Sequence, residues 1–314
     1  QEYMQFKFRQ QWMKLKAYAN EKGIQIIGDI PIYVAMDSAD TWANPWLFKL
    51  DEKNCPTQVA GCPPDGFSAT GQLWGNPLYN WEVHRNSGYE WWIKRIANCF
   101  RLYDVVRIDH FRGFDEYYAI PYGDATAENG WWEKGPGIDL FRAISASLGD
   151  REIIAEDLGY MTDSVKRLVE ESGYPNMKVI EFAFDERDTG NASDYLPHNY
   201  PRNCVVYTGT HDNETLLSWL EDITPAERRQ VRKYLNNFKD SGKELCDDLI
   251  CLVMQSVANL CIVPMQDYLG LDNSARMNQP STLGKNWKWR LKEGQFTAEL
   301  QKEMLELATR YGRR

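Results

Sequence analysis

The chain has 314 residues, of which 43% are hydrophobic and 26% charged, and its formal net charge is −9. A chain of this length can bury a large core as one domain or two. The interspersed charges, without a long basic run, argue against nucleic acid or an anionic membrane as a partner. The absence of an apolar run of about 18 residues argues against a transmembrane helix.

Cysteine and histidine usage bounds the chemistry. The seven cysteines form no clustered framework, which favours reduced thiols in the cytoplasm, or in a plastid if the source is a plant. The four histidines lack metal-ligand spacing, and no G-x-G-x-x-G follows the first predicted strand. The sequence therefore predicts no metal and no nucleotide cofactor, and it leaves the oligomeric state open.

Helix and strand signals alternate along the chain. Apolar periodicity, caps and stops predict helices over 5–22, 89–103, 138–149, 161–173, 213–221, 225–240, 243–258 and 297–311. Short apolar runs predict strands over 24–30, 104–109, 151–157, 177–184, 203–210 and 259–265. Residues 31–88 are dense in turn residues, and we expect an inserted loop that is too long to be a passive connector.

These strands are apolar throughout rather than alternating, as in parallel strands buried on both faces. Their alternation with helices predicts a parallel α/β architecture. A (β/α)8 TIM barrel has eight strands, whereas six are predicted here, and the chain opens inside an amphipathic helix without an initiator Met. We therefore expect one catalytic domain, residues 1–314, that is a barrel lacking its first two strands. A doubly wound sheet is the structural alternative.

Three acidic residues, Asp109, Glu156 and Asp212, stand at the ends of predicted strands. In a barrel such ends meet at the face where catalytic side chains collect, and paired carboxylates are what glycosidic-bond chemistry requires. Arg107 points to the same side of its strand as Asp109, and a guanidinium favours the ionised carboxylate that a nucleophile needs. Burial of Glu156 after an apolar run would raise its pKa, which suits an acid/base.

Each of these residues also has an ordinary structural interpretation when it is taken singly. Asp109 fits an internal ion pair, Glu156 a salt bridge, and Asp212 the N-cap of the following helix. His211 fits either a donor to a substrate hydroxyl or a structural histidine. Tryptophan is abundant, and four residues lie among turn residues, where a flat ring suits stacking on a sugar face: Trp42, Trp46, Trp74 and Trp81.

The segments VVRIDHFRGF, EIIAEDLG and YTGTHDNET resemble the second, third and fourth signature regions of the α-amylase superfamily. Their wording is similar to glycoside hydrolase family 77, the amylomaltases or 4-alpha-glucanotransferases. The similarity continues through GDIPIYVAMDSADTWANPWLF, PPDGFSATGQLWGNPLYNW and VPMQDYLGLDNSARMNQPSTLGKNWKWR, and so covers nearly all of the chain. Members of that family carry a further N-terminal section that includes the first two barrel strands.

The resemblance implies a retaining transglycosylase of starch or glycogen metabolism. It would move a segment of a 1,4-α-glucan to the 4-OH of glucose or a maltodextrin. Asp109 would be the nucleophile and Glu156 the acid/base. Asp212 and His211 would hold sugar hydroxyls, and Arg107 would orient Asp109.

Further substrate-binding positions follow from the same resemblance. Phe67 and Trp74 are candidates for sugar contact, and Asp29 matches the acid of the first signature region. Asn213 with its neighbour Glu214, and Asp267, are candidates for support around the substrate. Three alternatives stay open: a plain α-glucan hydrolase, a barrel lyase whose strand-end acids bind Mg²⁺, and an inactive truncated fragment.

Overall fold

The computed structural model describes residues 1–64, 68–159, 161–185, 192–238, 241–280 and 282–313. The chain divides into two compact units, Gln1–Asn176 and Met177–Arg314. Strands and helices alternate in each unit, as the sequence predicts. Across the described ranges, no helix is both long and apolar enough to cross a membrane.

The first unit holds most of the strands. Its elements in chain order are α1 (Glu2–Glu21), β1 (Ile27–Pro31), α2 (Ala39–Ala43), β2 (Gln58–Cys62), β3 (Gln72–Pro77), α3 (Trp81–Asn86), α4 (Glu90–Leu102), β4 (Val105–Asp109), β5 (Glu116–Pro121), β6 (Trp131–Lys134), α5 (Ile138–Leu148), β7 (Ile153–Ala155), α6 (Asp163–Ser172) and the first residue of β8 (Asn176–Val179). The helix and strand boundaries lie within a few residues of the predicted ones, except in 31–88 and in β5 and β6, which the sequence did not predict.

The predicted charged site residues of this unit lie on or directly after parallel strands. β1 pairs with β4 and β4 with β7, all in parallel, and Ala155 of β7 pairs with Asn176. Asp29 lies opposite Arg107 in the register, and Pro31 lies opposite Asp109. Val105 to Ile108 are buried, as is all of β7. The apolar run thus packs into the core, and the carboxylates stand where the strands end.

Residues 31–88 contain regular structure, so the expectation of a loop was wrong there. β2 and β3 join β5 and β6 in an antiparallel sheet with the order β3-β2-β5-β6. Gly61 permits close approach within it, because a Cβ there would lie 2.1 Å from the backbone oxygen of Gln72. Within this sheet β2 pairs with the distant β5, with Gln58 opposite Pro121, and local periodicity carries no signal of such a pairing.

An aromatic core packs in the first unit, and it includes Trp81, which is 8% exposed. The Trp81 ring stacks on Trp92 at 6.2 Å and lies 4.9 Å from the Tyr79 ring. The expectation that Trp81 stacks on a sugar was therefore wrong, since its faces are occupied by core side chains. Trp42 and Trp46 are 85% and 59% exposed.

The second unit carries the rest of the parallel strands. After the remainder of β8, its elements are β9 (Cys204–Tyr207), α7 (Leu216–Asp222), α8 (Pro225–Leu235), α9 (Gly242–Met254), β10 (Leu260–Ile262), α10 (Met265–Tyr268) and α11 (Ala298–Arg310). β9 and β10 pair in parallel. Residues Ile180–Phe184 form a 3-10 helix where the sequence predicts strand. The helix predicted from 213 begins at Leu216, because the residues before it form a turn.

Candidate active site

Arg107 links the carboxylate of Asp29, in the middle of β1, to that of Asp109, at the end of β4. Its Nη1 lies 2.7 Å from Asp29 Oδ1 and 3.0 Å from Asp109 Oδ1. The Arg107 side chain is 8% exposed, whereas those of Asp29 and Asp109 are 40% and 41% exposed. Burial by itself lowers the pKa of Arg107, but Asp29, Asp109 and Glu156 together raise it above its ordinary value. The guanidinium therefore stays charged and fixes Asp109 at the solvent edge.

Glu156 is a buried acid immediately after β7. Its Oε2 accepts a hydrogen bond of 2.6 Å from the backbone N–H of His110, and its Oε1 accepts one of 2.7 Å from Leu158. Burial raises its pKa to about 7, with Asp109 adding to the rise and Arg107 opposing it. A carboxyl with this pKa exchanges its proton near neutral pH, as an acid/base requires.

His110 joins Glu156 to Trp74, and sequence reasoning did not single it out. Its backbone is left-handed, with φ of 53°, a conformation that is uncommon for a non-glycine residue. Its ring meets the half-buried Trp74 edge-on at 4.8 Å. Desolvation and, to a smaller extent, the charge of Arg112 together lower the pKa of the imidazole to about 3. The structure thus brings Trp74 to the residue whose N–H holds Glu156.

The other aromatic candidate, Phe67, lies outside the described residues. Asp109, which lies near Asp29, is one of the strand-end acids that would bind Mg²⁺ in the lyase alternative. Arg107 bridges them, and its positive charge opposes a cation there. In the described part of the chain, no group of three or more His, Cys, Asp or Glu could hold a metal ion.

Asp212 and His211 belong to the second unit, in the turn Thr210–Thr215. Asp212 Oδ1 accepts a hydrogen bond of 2.5 Å from Asn278 Nδ2, and Oδ2 lies 3.2 Å from His211 Nε2. Arg276 Nη2 donates to the backbone oxygen of Asp212 at 2.6 Å. Asn278 and Arg276 were not among the predicted site residues, because they lie more than sixty residues from Asp212 along the chain.

Asp212 is not the N-cap of α7, so that structural interpretation was wrong. The N-cap is Thr215, and the first helical N–H, that of Leu216, donates to Asp267 Oδ1 at 2.9 Å. Asp267 is 2% exposed, and its Oδ2 accepts from Thr208 Oγ1 at 2.5 Å. The side chain of Asp212 is therefore 39% exposed. Its carboxylate is oriented by neighbouring side chains and not by the N–H groups of a helix.

Asn213 braces the turn from within. Its Oδ1 accepts hydrogen bonds from Thr210 N at 2.9 Å and from Thr210 Oγ1 at 2.7 Å. Glu214 Oε1 accepts from Asn273 Nδ2 at 2.9 Å. These contacts support the turn and leave the side chains of His211 and Asp212 28% and 39% exposed.

The chain is similar to known proteins over nearly all of its length. The sequence profile of the 4-alpha-glucanotransferases, glycoside hydrolase family 77, matches residues 1–297. The chain belongs to this family. The 4-alpha-glucanotransferase of Streptococcus pneumoniae is 52% identical over 310 residues, which are 98% of this chain and 60% of that protein. That of Clostridium butyricum is 50% identical over 99% of this chain and 63% of its own length.

A solved structure shows the same fold. The amylomaltase of Streptococcus agalactiae, in complex with acarbose, matches with a TM-score of 0.94 and 43% identity over 99% of this chain and 62% of that chain. The predicted family and its α-amylase-type α/β fold are therefore confirmed. This chain spans about 60% of the length of these relatives.

Proposed function

We propose that this chain carries the catalytic groups of a retaining 4-alpha-glucanotransferase. The observation that supports the proposal best is the pairing of Asp109 with Arg107 beside the buried Glu156. One carboxylate forms an ion pair with a guanidinium, and the other has a pKa of about 7. Such a division between two carboxyl groups is what a double displacement at a glycosidic carbon requires.

In the first step, an Asp109 oxygen attacks the anomeric carbon of a 1,4-α-glucan and forms a covalent glucosyl ester. The bond to the leaving 4-oxygen breaks, and protonated Glu156 transfers its proton to that oxygen. The reducing-end segment departs with this proton, and Glu156 becomes a carboxylate. Retaining enzymes hold the two carboxyl groups about 5–5.5 Å apart, which is the separation that we expect here.

In the second step, Glu156 takes the proton from the 4-OH of glucose or of a maltodextrin. That oxygen attacks the anomeric carbon, the ester bond to Asp109 breaks, and the α-linkage is restored. Both carboxyl groups return to their starting protonation states. If water replaces the sugar, the same chemistry is hydrolysis, so the acceptor decides between the two outcomes.

The remaining site residues are proposed to position the sugars. Asp29 shares Arg107 with Asp109 and so helps to orient the nucleophile through that guanidinium. His211 and Asp212 are proposed to hold hydroxyl groups of the reacting ring, with Asn213 and Asp267 supporting their turn. Trp74 and Phe67 are proposed to contact the sugar faces.

The substrates proposed are maltooligosaccharides and glucose, and the similarity to an amylomaltase solved with acarbose supports this choice. We also propose a reducing compartment, the cytoplasm or a plastid. Cys55, Cys99, Cys246, Cys251 and Cys261 are free thiols in the part of the chain that the structure describes, which supports that proposal.

Incubation with maltotriose tests the function. Transfer predicts glucose together with a ladder of longer maltodextrins, whereas hydrolysis yields only shorter products. The Asp109→Asn variant is the matched control, because it preserves the shape of the side chain and removes its charge. A folded wild-type chain that makes neither set of products would favour the inactive-fragment alternative.

A further inference from the structure

Glu181 is a strand-end acid that the mechanism above does not use. It stands in the 3-10 helix directly after β8 and is 4% exposed. Its Oε2 accepts a hydrogen bond of 2.9 Å from Asn213 Nδ2. Within the part of the chain that the structure describes, its buried Oε1 has no hydrogen-bond partner. A buried carboxyl with one oxygen unsatisfied is costly and needs an explanation.

The backbone around Glu181 is fitted closely to it. A Cβ on Gly209 would lie 2.8 Å from Glu181 Oε1, so a side chain at 209 would displace the carboxyl. Gly209 immediately precedes the turn that carries His211 and Asp212. The carboxyl and the start of this turn are therefore in direct contact, and a shift in one moves the other.

The charges near Glu181 disfavour a carboxylate. Burial raises its pKa well above the usual 4.5, and Asp267 and Glu214 raise it further. The hydrogen bond from Asn213 and the charge of Arg276 act in the opposite direction without reversing the shift. Burial beside two other acids therefore favours the protonated form of Glu181 over the carboxylate.

A continuous chain of hydrogen bonds runs from Glu181 to Asp212. Glu181 accepts from the amide NH2 of Asn213, which leaves Asn213 Oδ1 to accept from Thr210 N and Oγ1. Thr210 Oγ1 in turn accepts from the backbone N–H of Asp212 at 3.3 Å. Glu181 thus sets which way the Asn213 amide faces, and that orientation closes the turn.

We propose that Glu181 is a positioning residue, which holds Asp212 and His211 in place through Asn213 and Thr210. The inference rests on the proposed function in one respect, namely that Asp212 and His211 act on the sugar. In this role Glu181 acts through Asn213 and not on the sugar itself. Its ionisation would leave a buried charge without a donor at Oε1, and the turn would open to relieve it.

Two variants separate this role from a merely structural one. Glu181→Gln keeps the shape and an oxygen that accepts from Asn213, and it cannot ionise. Glu181→Ala removes that acceptor. Because one such hydrogen bond contributes about 1 kcal/mol, Glu181→Ala is expected to lower kcat on maltotriose about fivefold. Glu181→Gln is expected to retain kcat within about twofold. If the wild type loses activity at high pH because Glu181 ionises, Glu181→Gln should keep its activity there.

Two measurements need no activity and distinguish a failure of this inference from a failure of the proposed function. Hydrogen exchange at the Thr210 and Asp212 amides should be slow in the wild type and in Glu181→Gln, and faster in Glu181→Ala. Urea unfolding should show Glu181→Gln gaining stability over the wild type as pH rises above about 4.5. The native wild type keeps a proton there that its unfolded chain loses.

The inference is overturned if Glu181→Ala leaves both turn exchange and kcat unchanged, or if Glu181→Gln loses as much as Glu181→Ala. It is also overturned if the stability difference between Glu181→Gln and the wild type does not change with pH. Suppose that the wild type neither transfers nor hydrolyses glucan while the exchange and unfolding results come out as expected. In that case the proposed function is wrong, and the positioning of the turn by Glu181 is supported.

Discussion

Removing the guanidinium of Arg107 should impair the nucleophile without removing it. Arg107 Nη1 lies 3.0 Å from Asp109 Oδ1, and the two side chains are 8% and 41% exposed. Two unit charges about 4 Å apart interact by about 4 kcal/mol at an effective dielectric constant of 20, and by about 1 kcal/mol in water. Since Asp109 is partly screened by solvent, we take about 2 kcal/mol for the loss in Arg107→Met.

The acid limb of the pH–rate profile on maltotriose should therefore move upward, and kcat/KM on that limb should fall by about 30-fold, because a smaller fraction of Asp109 is ionised there. Glucose release, measured from pH 4 to pH 9, checks both effects. Arg107→Lys is the matched control, since it keeps the charge but loses the fork that reaches Asp29 and Asp109 together. It should lose less activity and move the limb less.

An unchanged Arg107→Met variant would contradict the role of the guanidinium. If Arg107→Met retained kcat/KM within about twofold and its acid limb stayed in place, Asp109 would not depend on the guanidinium. The assignment of Asp109 as the ionised nucleophile would then lose its main physical support. Circular dichroism and the unfolding midpoint must match the wild type for the result to count, because Arg107 is also buried.

Three further predictions follow from named contacts. Glu156→Gln should abolish the decline of kcat/KM above about pH 7. The variant should still form the glucosyl-enzyme from α-maltosyl fluoride, because the fluoride leaving group needs no proton. A wild-type pH profile in this variant would contradict the acid/base role of Glu156. Asp109→Ala should abolish transfer in a folded chain, and near-full activity in the maltotriose assay would show that the nucleophile is another residue. Trp81→Ala should lower the free energy of unfolding by about 3–5 kcal/mol, whereas Trp42→Ala should change it by less than about 0.5 kcal/mol; equal effects in urea unfolding would contradict their placement in the core and at the surface.

Much of the architecture could be predicted because burial leaves a local trace. A parallel strand that is covered on both faces must be apolar throughout, so strands such as β4 and β7 stand out as runs ending in an acid. The caps act equally locally: Thr224 and Glu227 form a capping box at the start of α8. The positions of Asp109 and Glu156 followed from these local signals.

Other features could not be predicted, because they depend on segments that are distant in sequence. β2 is a strand only because it pairs with β3 and β5, and Trp81 is buried only because Tyr79 and Trp92 enclose it. The hydrogen bond from Asn278 to Asp212 spans 66 residues. No periodicity within either partner signals such contacts, so the loop and the stacking tryptophan were mispredicted.

The sequence by itself determined which groups this protein has for chemistry and on which kind of element they stand. An acid that ends a buried run, with an arginine two residues before it, is a local fact. The tertiary structure decided the electrostatic state of those groups. Glu156 has a raised pKa because the fold removes it from water and sets Asp109 near it, and Glu181 became notable because it is enclosed with Asp267 and Glu214. Desolvation and charge proximity are properties of three-dimensional packing, and residue order does not contain them explicitly.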